Sequence, residues 1–174
     1  MNQLVSSADR TILPVWTSGR ARARLAAFLS TVDSPLPTLL RVTLGGVIFG
    51  HGLQKVFGWF GGYGIEGTMG FFKSVGMPSL LGALVIASDF LGSLALIAGL
   101  LTRFSAAAAF AVMLGATLLV HLPNGFFMNW GGAPHGEGYE FHLLAMAMAA
   151  SLAWSGGGRA SLDEWLSRRL GRAG

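Results

Sequence analysis

An all-α integral membrane protein, with four transmembrane helices packed as one bundle, is the fold class this sequence predicts. Three observations carry it. Of the 174 residues, 52% are hydrophobic and only 11% charged, whereas an ordinary soluble domain carries about 25% charged residues. Four stretches, about 37–57, 79–101, 104–122 and 139–155, approach the roughly 17–25 apolar residues needed to cross a bilayer. The basic residues are also sorted by loop. Arg10, Arg20, Arg22, Arg24, Arg103, Arg159, Arg168, Arg169 and Arg172, nine of the twelve, fall on one side if the chain crosses four times, and the opposite loops hold only Lys73. Positive residues stay inside, which places both termini in the cytoplasm, the chain in the cytoplasmic (inner) membrane and the two long loops outside. No apolar segment of signal-peptide length precedes the first span, so insertion is expected to rest on the spans themselves.

The elements follow in order. Residues 1–35 form a basic N-terminal segment. Within it, 20-RARARLAAFL-29 puts Leu25, Phe28 and Leu29 on one helical face, which fits a helix lying on the bilayer with its arginines among anionic headgroups; a disordered basic tail is the alternative. Residues 36–156 form the transmembrane domain. Helices in lipid approach closely where residues are small, and each span offers such a face: Gly46 and Gly50; Ser88, Gly92, Ala95 and Gly99; Ala107, Ala111 and Gly115; Ala145, Ala149 and Ala153. The outer loops are rich in glycine and aromatics, and 58–70 and 123–138 are expected to fold over the bundle mouth as a lid. Residues 157–174 carry a capping-box pair, Ser161 and Glu164, ahead of an apolar stripe of Leu162, Trp165, Leu166 and Leu170, which predicts a short amphipathic helix.

Several chemistries are excluded. The chain has no cysteine, so it has no disulfide, thiolate metal site or catalytic thiol of its own. Its net charge of +4 is accounted for by membrane topology and does not call for nucleic acid. The segment 58-GWFGGYGIEG-67 lacks the lysine and the preceding strand of a phosphate loop.

Polar residues inside the spans are the informative ones, because a charge at a helix centre costs about 2.5–3.5 kcal/mol to insert and normally faces a partner. A rise of about 1.5 Å per residue puts Asp89 near the midplane, with His51, Lys55, His121, Glu140 and His142 roughly 6–12 Å outward of it. His51, Gln54 and Lys55 project from one side of span one. His142 lies on the small face of span four, and Glu140, two residues away, points nearly opposite in a regular helix. His51, Asp89 and Glu140 are the candidates for proton exchange, and Gln54, Lys55, His121 and His142 for holding a ligand. Arg41 is expected to snorkel at the cytoplasmic end. Three chemistries suit such a cluster: holding and protonating a quinone carbonyl, binding a divalent metal, or lining a proton or solute path. No compact metal motif is present, and no metal-ligand set is assigned.

These residues also carry a resemblance. Arg41, the Gly45-Gly46 pair, His51-Gly52 and Lys55; then Phe71-Phe72, Gly76 and Pro78; then an acidic residue in span two; then His121, Gly125-Phe126-Phe127 and Gly138-Tyr139-Glu140 make residues 36–155 similar to the DoxX family of small membrane proteins. Where that pattern would place glutamate in span two, this chain has Asp89. The resemblance implies a four-helix membrane fold and association with membrane redox systems, including quinone-linked ones, without fixing a reaction. The leading expectation is therefore a membrane subunit of a quinone-linked redox system. Quinone is its ligand, a soluble or membrane redox protein its partner alongside the bilayer, and self-association into a homo-oligomer is compatible with it. A non-catalytic scaffold, or a solute or metal transporter, is the rival. Topology is directly testable: periplasmic reporters fused to either terminus should be inactive, and activity at either would overturn the orientation.

Overall fold

The computed structural model describes residues 15–132 and 136–172. Arg10 and positions 133–135 of the second outer loop lie outside the described residues. Eight α-helices follow in order: α1 (Val15–Leu29), α2 (Leu36–Phe57), α3 (Gly64–Ser74), α4 (Ser79–Ala87), α5 (Ser93–Ala98), α6 (Thr102–Ala116), α7 (Glu140–Ser155) and α8 (Leu162–Arg172). A π-helical turn, Ser88–Gly92, joins α4 to α5, and another, Thr117–His121, extends α6 into a short 3-10 turn. Among the described residues there is no strand.

Three continuous rods are long and apolar enough to cross a membrane: Leu36–Phe57, Ser79–Ala98 and Thr102–Asn124, of 22, 20 and 23 residues. The fourth expected span is the 16-residue α7, about 24 Å long against a hydrocarbon core of about 30 Å. All four rods supply one core. Leu44 and Ile48 of α2 meet Leu96 of α5, Ala106, Ala109 and Met113 of α6, and Ala145, Ala149 and Leu152 of α7. The outward faces carry exposed Leu39, Leu80, Leu84, Phe104 and Leu144, a surface suited to lipid and not to water.

Small residues make the contacts, but not always the expected ones. Ala145 and Ala149 are buried. In α2, Gly46 and Gly50 face open space, and the close approaches fall at Gly45 and Gly52. A Cβ on Gly45 would lie 2.9 Å from the Ser93 carbonyl oxygen. Likewise the inner face of α6 is Thr102, Ser105, Ala106, Ala109 and Met113, while Ala107 and Ala111 are exposed. The reason is polar: the stripe Arg41, Leu44/Gly45, Ile48, Gly52 follows the side that must turn Arg41 inward.

Arg41 corrects the snorkelling expectation. It is 3% exposed and its guanidinium donates to the carbonyls of Gly157 (2.9 Å), Leu96 (3.2 Å), Ala160 (2.9 Å) and Ile97. Two of these acceptors, Leu96 and Ile97, are carbonyls in the last turn of α5, at the negative end of the helix dipole. Arg103 treats the end of α7 the same way, donating to Ala153 (2.8 Å) and Trp154. The opposite charge sits at the opposite kind of terminus: the Asp163 carboxylate accepts the N–H groups of Leu101 and Thr102, both at 2.7 Å, where α6 begins.

The terminal segments close this end. The basic stretch is helical within α1, as the first of the two expectations had it, and α1 packs on α8. Ser167 donates to the Ala26 carbonyl (3.0 Å) and Thr31 to the Glu164 carboxylate (2.8 Å). Half of the capping box forms, with Ser161 accepting the Glu164 N–H at 3.1 Å. Exposed Arg159 holds the Asp33 carboxyl below its usual range, chiefly through their hydrogen bond and then through charge.

At the other end, the lid expectation fails. After a 3-10 turn, Trp59–Gly61, the loop forms the 11-residue α3, whose Thr68 and Phe72 are its buried residues. The loop aromatics point away from the mouth: Phe60, Tyr63, Phe127 and Trp130 are all more than 70% exposed.

Replacing Arg41 with Met should destabilise the protein by roughly 2–4 kcal/mol, because carbonyls at the end of α5 and in the segment before α8 lose their donor. Thermal unfolding in detergent would show this, and an unchanged midpoint would remove Arg41 from its structural role.

Candidate functional site

The polar cluster lies at the end opposite Arg41, and its centre is an ion pair. Lys55 Nζ is 2.7 Å from Asp89 Oδ2. Asp89 is 1% exposed, so its charge is separated from solvent and Lys55 is its counter-ion. On the sequence, His51 and Asp89 lie on faces that can converge at similar depth, which makes His51 the expected partner. The structure gives that place to Lys55, which lies on the inward stripe of α2 three residues after Gly52, while His51 turns toward α7.

Two backbone features bring the pair together. Asp89 sits in the π-helical turn Ser88–Gly92, where the extra residue per turn breaks the regular ladder; such turns are frequent at functional sites. Ser93 satisfies the disturbed carbonyls, its hydroxyl lying 2.6 Å from the Asp89 oxygen and 2.9 Å from that of Phe90. Against this turn lies Gly52, where a Cβ would fall 2.5 Å from the Asp89 carbonyl oxygen. Only glycine lets α2 come near enough for Lys55 to reach its partner.

The other candidates divide into two groups. His51 Nδ1 lies 3.0 Å from Gln54 Oε1, and Gln54 Nε2 donates to the Phe60 carbonyl at 3.3 Å. Because Nε2 must be the amide nitrogen, Oε1 is the acceptor and neutral His51 carries its proton on Nδ1. His121 ends the second π-helical turn, and its Nδ1 lies 2.8 Å from the Glu137 carbonyl oxygen, which fixes the same tautomer. The His121 and His142 rings lie 4.1 Å apart, centroid to centroid. Phe141 lies beside both His142 and His51, and His51 is within electrostatic reach of Asp89 and of His142. His51, Lys55, Asp89, His121 and His142 therefore surround one mouth formed by α2, the first π-helical turn, the end of α6 and α7.

Glu140 is not among them. Its Oε1 accepts the Met128 N–H at 2.9 Å, so it staples the second loop to the start of α7. Glu137, which the sequence reading passed over, serves the same loop: its carboxylate takes the Asn129 N–H at 2.6 Å, and its carbonyl takes His121. A carbonyl contact leaves no side-chain signature to find.

Two polar atoms of the cluster are buried without a partner, Asp89 Oδ1 and His142 Nδ1; Thr102 Oγ1 at the far end is a third. Leaving such an atom unpaired costs about 1–3 kcal/mol, so each calls for a water or a ligand. Among the described residues no three His, Asp or Glu side chains gather as a metal set. Two surface grooves, one of about 370 Å³ between Val56, Met69, Ile86 and Phe90 and one beside Ala107, Ala150 and Trp154, contain none of the cluster's side chains.

A chain of packed apolar helices with an ion pair sealed between them defines a small polytopic membrane protein. It belongs to the DoxX family, which matches residues 36–122. It is also similar to a protein of Bacillus subtilis (strain 168) named "Putative oxidoreductase CatD", with 31% identity over 128 residues that cover 74% of this chain and 84% of the relative. No solved structure matches it significantly.

Two substitutions test the ion pair. Lys55→Met should cost roughly 3–5 kcal/mol by leaving the Asp89 charge buried alone, and Lys55→Met with Asp89→Leu should regain much of that. Equal stability of the single variant and the wild type would show that the pair does not form. Gly52→Ala should destabilise by a comparable amount, because its methyl group meets main chain that cannot rotate away; a neutral result would contradict the close approach.

Proposed function

We propose that this protein is a four-span subunit of a quinone-linked redox system in the cytoplasmic membrane, with both termini inside and the cluster opening outward. The observation that carries the reading is the state of Asp89: one carboxylate oxygen is neutralised by Lys55 and the other is buried without a partner. A carboxylate so placed, with His51 within electrostatic reach of it and His142 within reach of His51, can hold a polar headgroup and exchange its protons. The DoxX match and the relative's name support a link to redox chemistry. The absence of cysteine means that another protein or the ligand itself supplies the electrons. The fourth crossing is assigned to α7, whose shortness is within what tilt of its neighbours and local thinning accommodate.

The scaffold reading has one observation in its favour, namely that Asp89 already has a partner and Arg41, Arg103 and Asp163 are wholly structural. Binding of a short-tailed benzoquinone in nanodiscs separates the two. Asp89→Asn and His51→Gln keep shape and hydrogen bonding but not titration, so each should keep its melting midpoint within a few degrees and weaken binding by about tenfold or more. Unaltered binding when both are combined would leave the scaffold.

A further inference from the structure

We propose that the cluster prefers the reduced, hydroquinone form of its ligand to the oxidised quinone. The proposal rests on the quinone reading above and adds the redox form that the resting site recognises.

The inference comes from counting free donors and acceptors. His51 and His121 each commit Nδ1–H, to Gln54 Oε1 and to the Glu137 carbonyl. Each neutral ring therefore keeps only an accepting Nε2 lone pair. Asp89 Oδ1 is a further acceptor, 1% exposed as a residue and without a partner. On the donor side stands Lys55, which has used one of its three N–H groups on Asp89 and remains 26% exposed; His142, whose Nδ1 has no partner among the described residues, donates or accepts according to its tautomer and favours neither form. Glu140 and Glu137 are occupied by backbone N–H groups and do not compete.

A quinone carbonyl only accepts. It can take a proton from Lys55, but against His51 or His121 it sets lone pair to lone pair. A hydroquinone hydroxyl donates and accepts at once, so it can accept from Lys55 while giving its own proton to a histidine Nε2 or to Asp89 Oδ1. Of the three acceptors Asp89 Oδ1 is the buried one, and a site that holds a hydroxyl there discriminates against the analogue that lacks one, because the buried oxygen is then left unpaired. Gln54 is the residue that fixes this preference. It touches no ligand; it sets which nitrogen of His51 is the acceptor, and its amide is itself oriented by Phe60, held at φ 54.

The test is calorimetric titration of wild-type protein in anaerobic nanodiscs with decyl-benzoquinone and with the same molecule reduced beforehand. The hydroquinone should bind about tenfold more tightly, the equivalent of one or two discriminating hydrogen bonds. Gln54→Leu, which frees the His51 tautomer and leaves Lys55 and Asp89 in place, should bring the ratio toward one, whereas Gln54→Glu, which keeps an acceptor at Nδ1, should retain it. Equal or tighter binding of the quinone by the wild type overturns the preference while the quinone site stands. Binding of neither form overturns both readings. A preference unchanged in Gln54→Leu overturns the assignment to the His51 tautomer.

Discussion

A carboxylate shut inside an apolar bundle has to be given a cation, and the shape of this protein around Asp89 follows from giving it one. Lys55 must come from a neighbouring rod, so α2 has to approach until its backbone touches the π-helical turn. That approach admits only glycine at position 52. The π-helical turn in turn leaves carbonyls to be satisfied, and Ser93 takes them. Once Lys55 points inward, the side of α2 that carries His51 faces α7, and the histidines of three rods are brought to one mouth. None of these features makes sense separately.

The opposite half, around Arg41, answers a second constraint, that helix ends near hydrocarbon cannot leave their backbone groups to water. Arginines meet the carboxyl ends of α5 and α7, and an aspartate meets the amino end of α6. The sign of each charge matches the dipole it faces. Because Asp163 belongs to α8 and Arg41 also holds the chain just before it, the C-terminal helix is part of the bundle's foundation. The two ends thus divide the work. Among the described residues, the buried side-chain polar atoms of one end have partners except at Thr102, and the other end retains open valences on Asp89 and His142.

Much of this was legible in the sequence. Length and hydropathy gave three membrane-length helices, and the extent of α7, to within a few residues, because a bilayer leaves little choice about what a long apolar run can be. Asp89 announced itself by the cost of its position. Ala145 and Ala149 were found by spacing. Gly45 and Gly52 were missed in favour of Gly46 and Gly50 because small size alone does not say which face turns inward; Arg41 decides that, and it had been read as a surface group. Helix α3 was hidden by its three glycines, Gly64, Gly67 and Gly70, whose low propensity is overridden by packing against α2 and α4. The partner of Asp89 was misread because depth was reckoned along straight helices, whereas a lysine stem reaches back toward the bilayer centre and a π-helical turn rotates the residues after it. The loops of Glu137 and Glu140 were illegible for a simpler reason: they are held by backbone groups, which every residue has.

The central claim, that Lys55 is held by buried Asp89 at a ligand site, can be measured without a functional assay because the chain has only two lysines, Lys55 and exposed Lys73. Reductive methylation in nanodiscs, read peptide by peptide, compares them in one sample. On this account Lys73 reacts freely and Lys55 slowly, Lys55 slows further when a short-tailed hydroquinone is present, and Asp89→Asn releases it. Lys55 reacting as fast as Lys73, with no response to ligand or to the loss of Asp89, would contradict it.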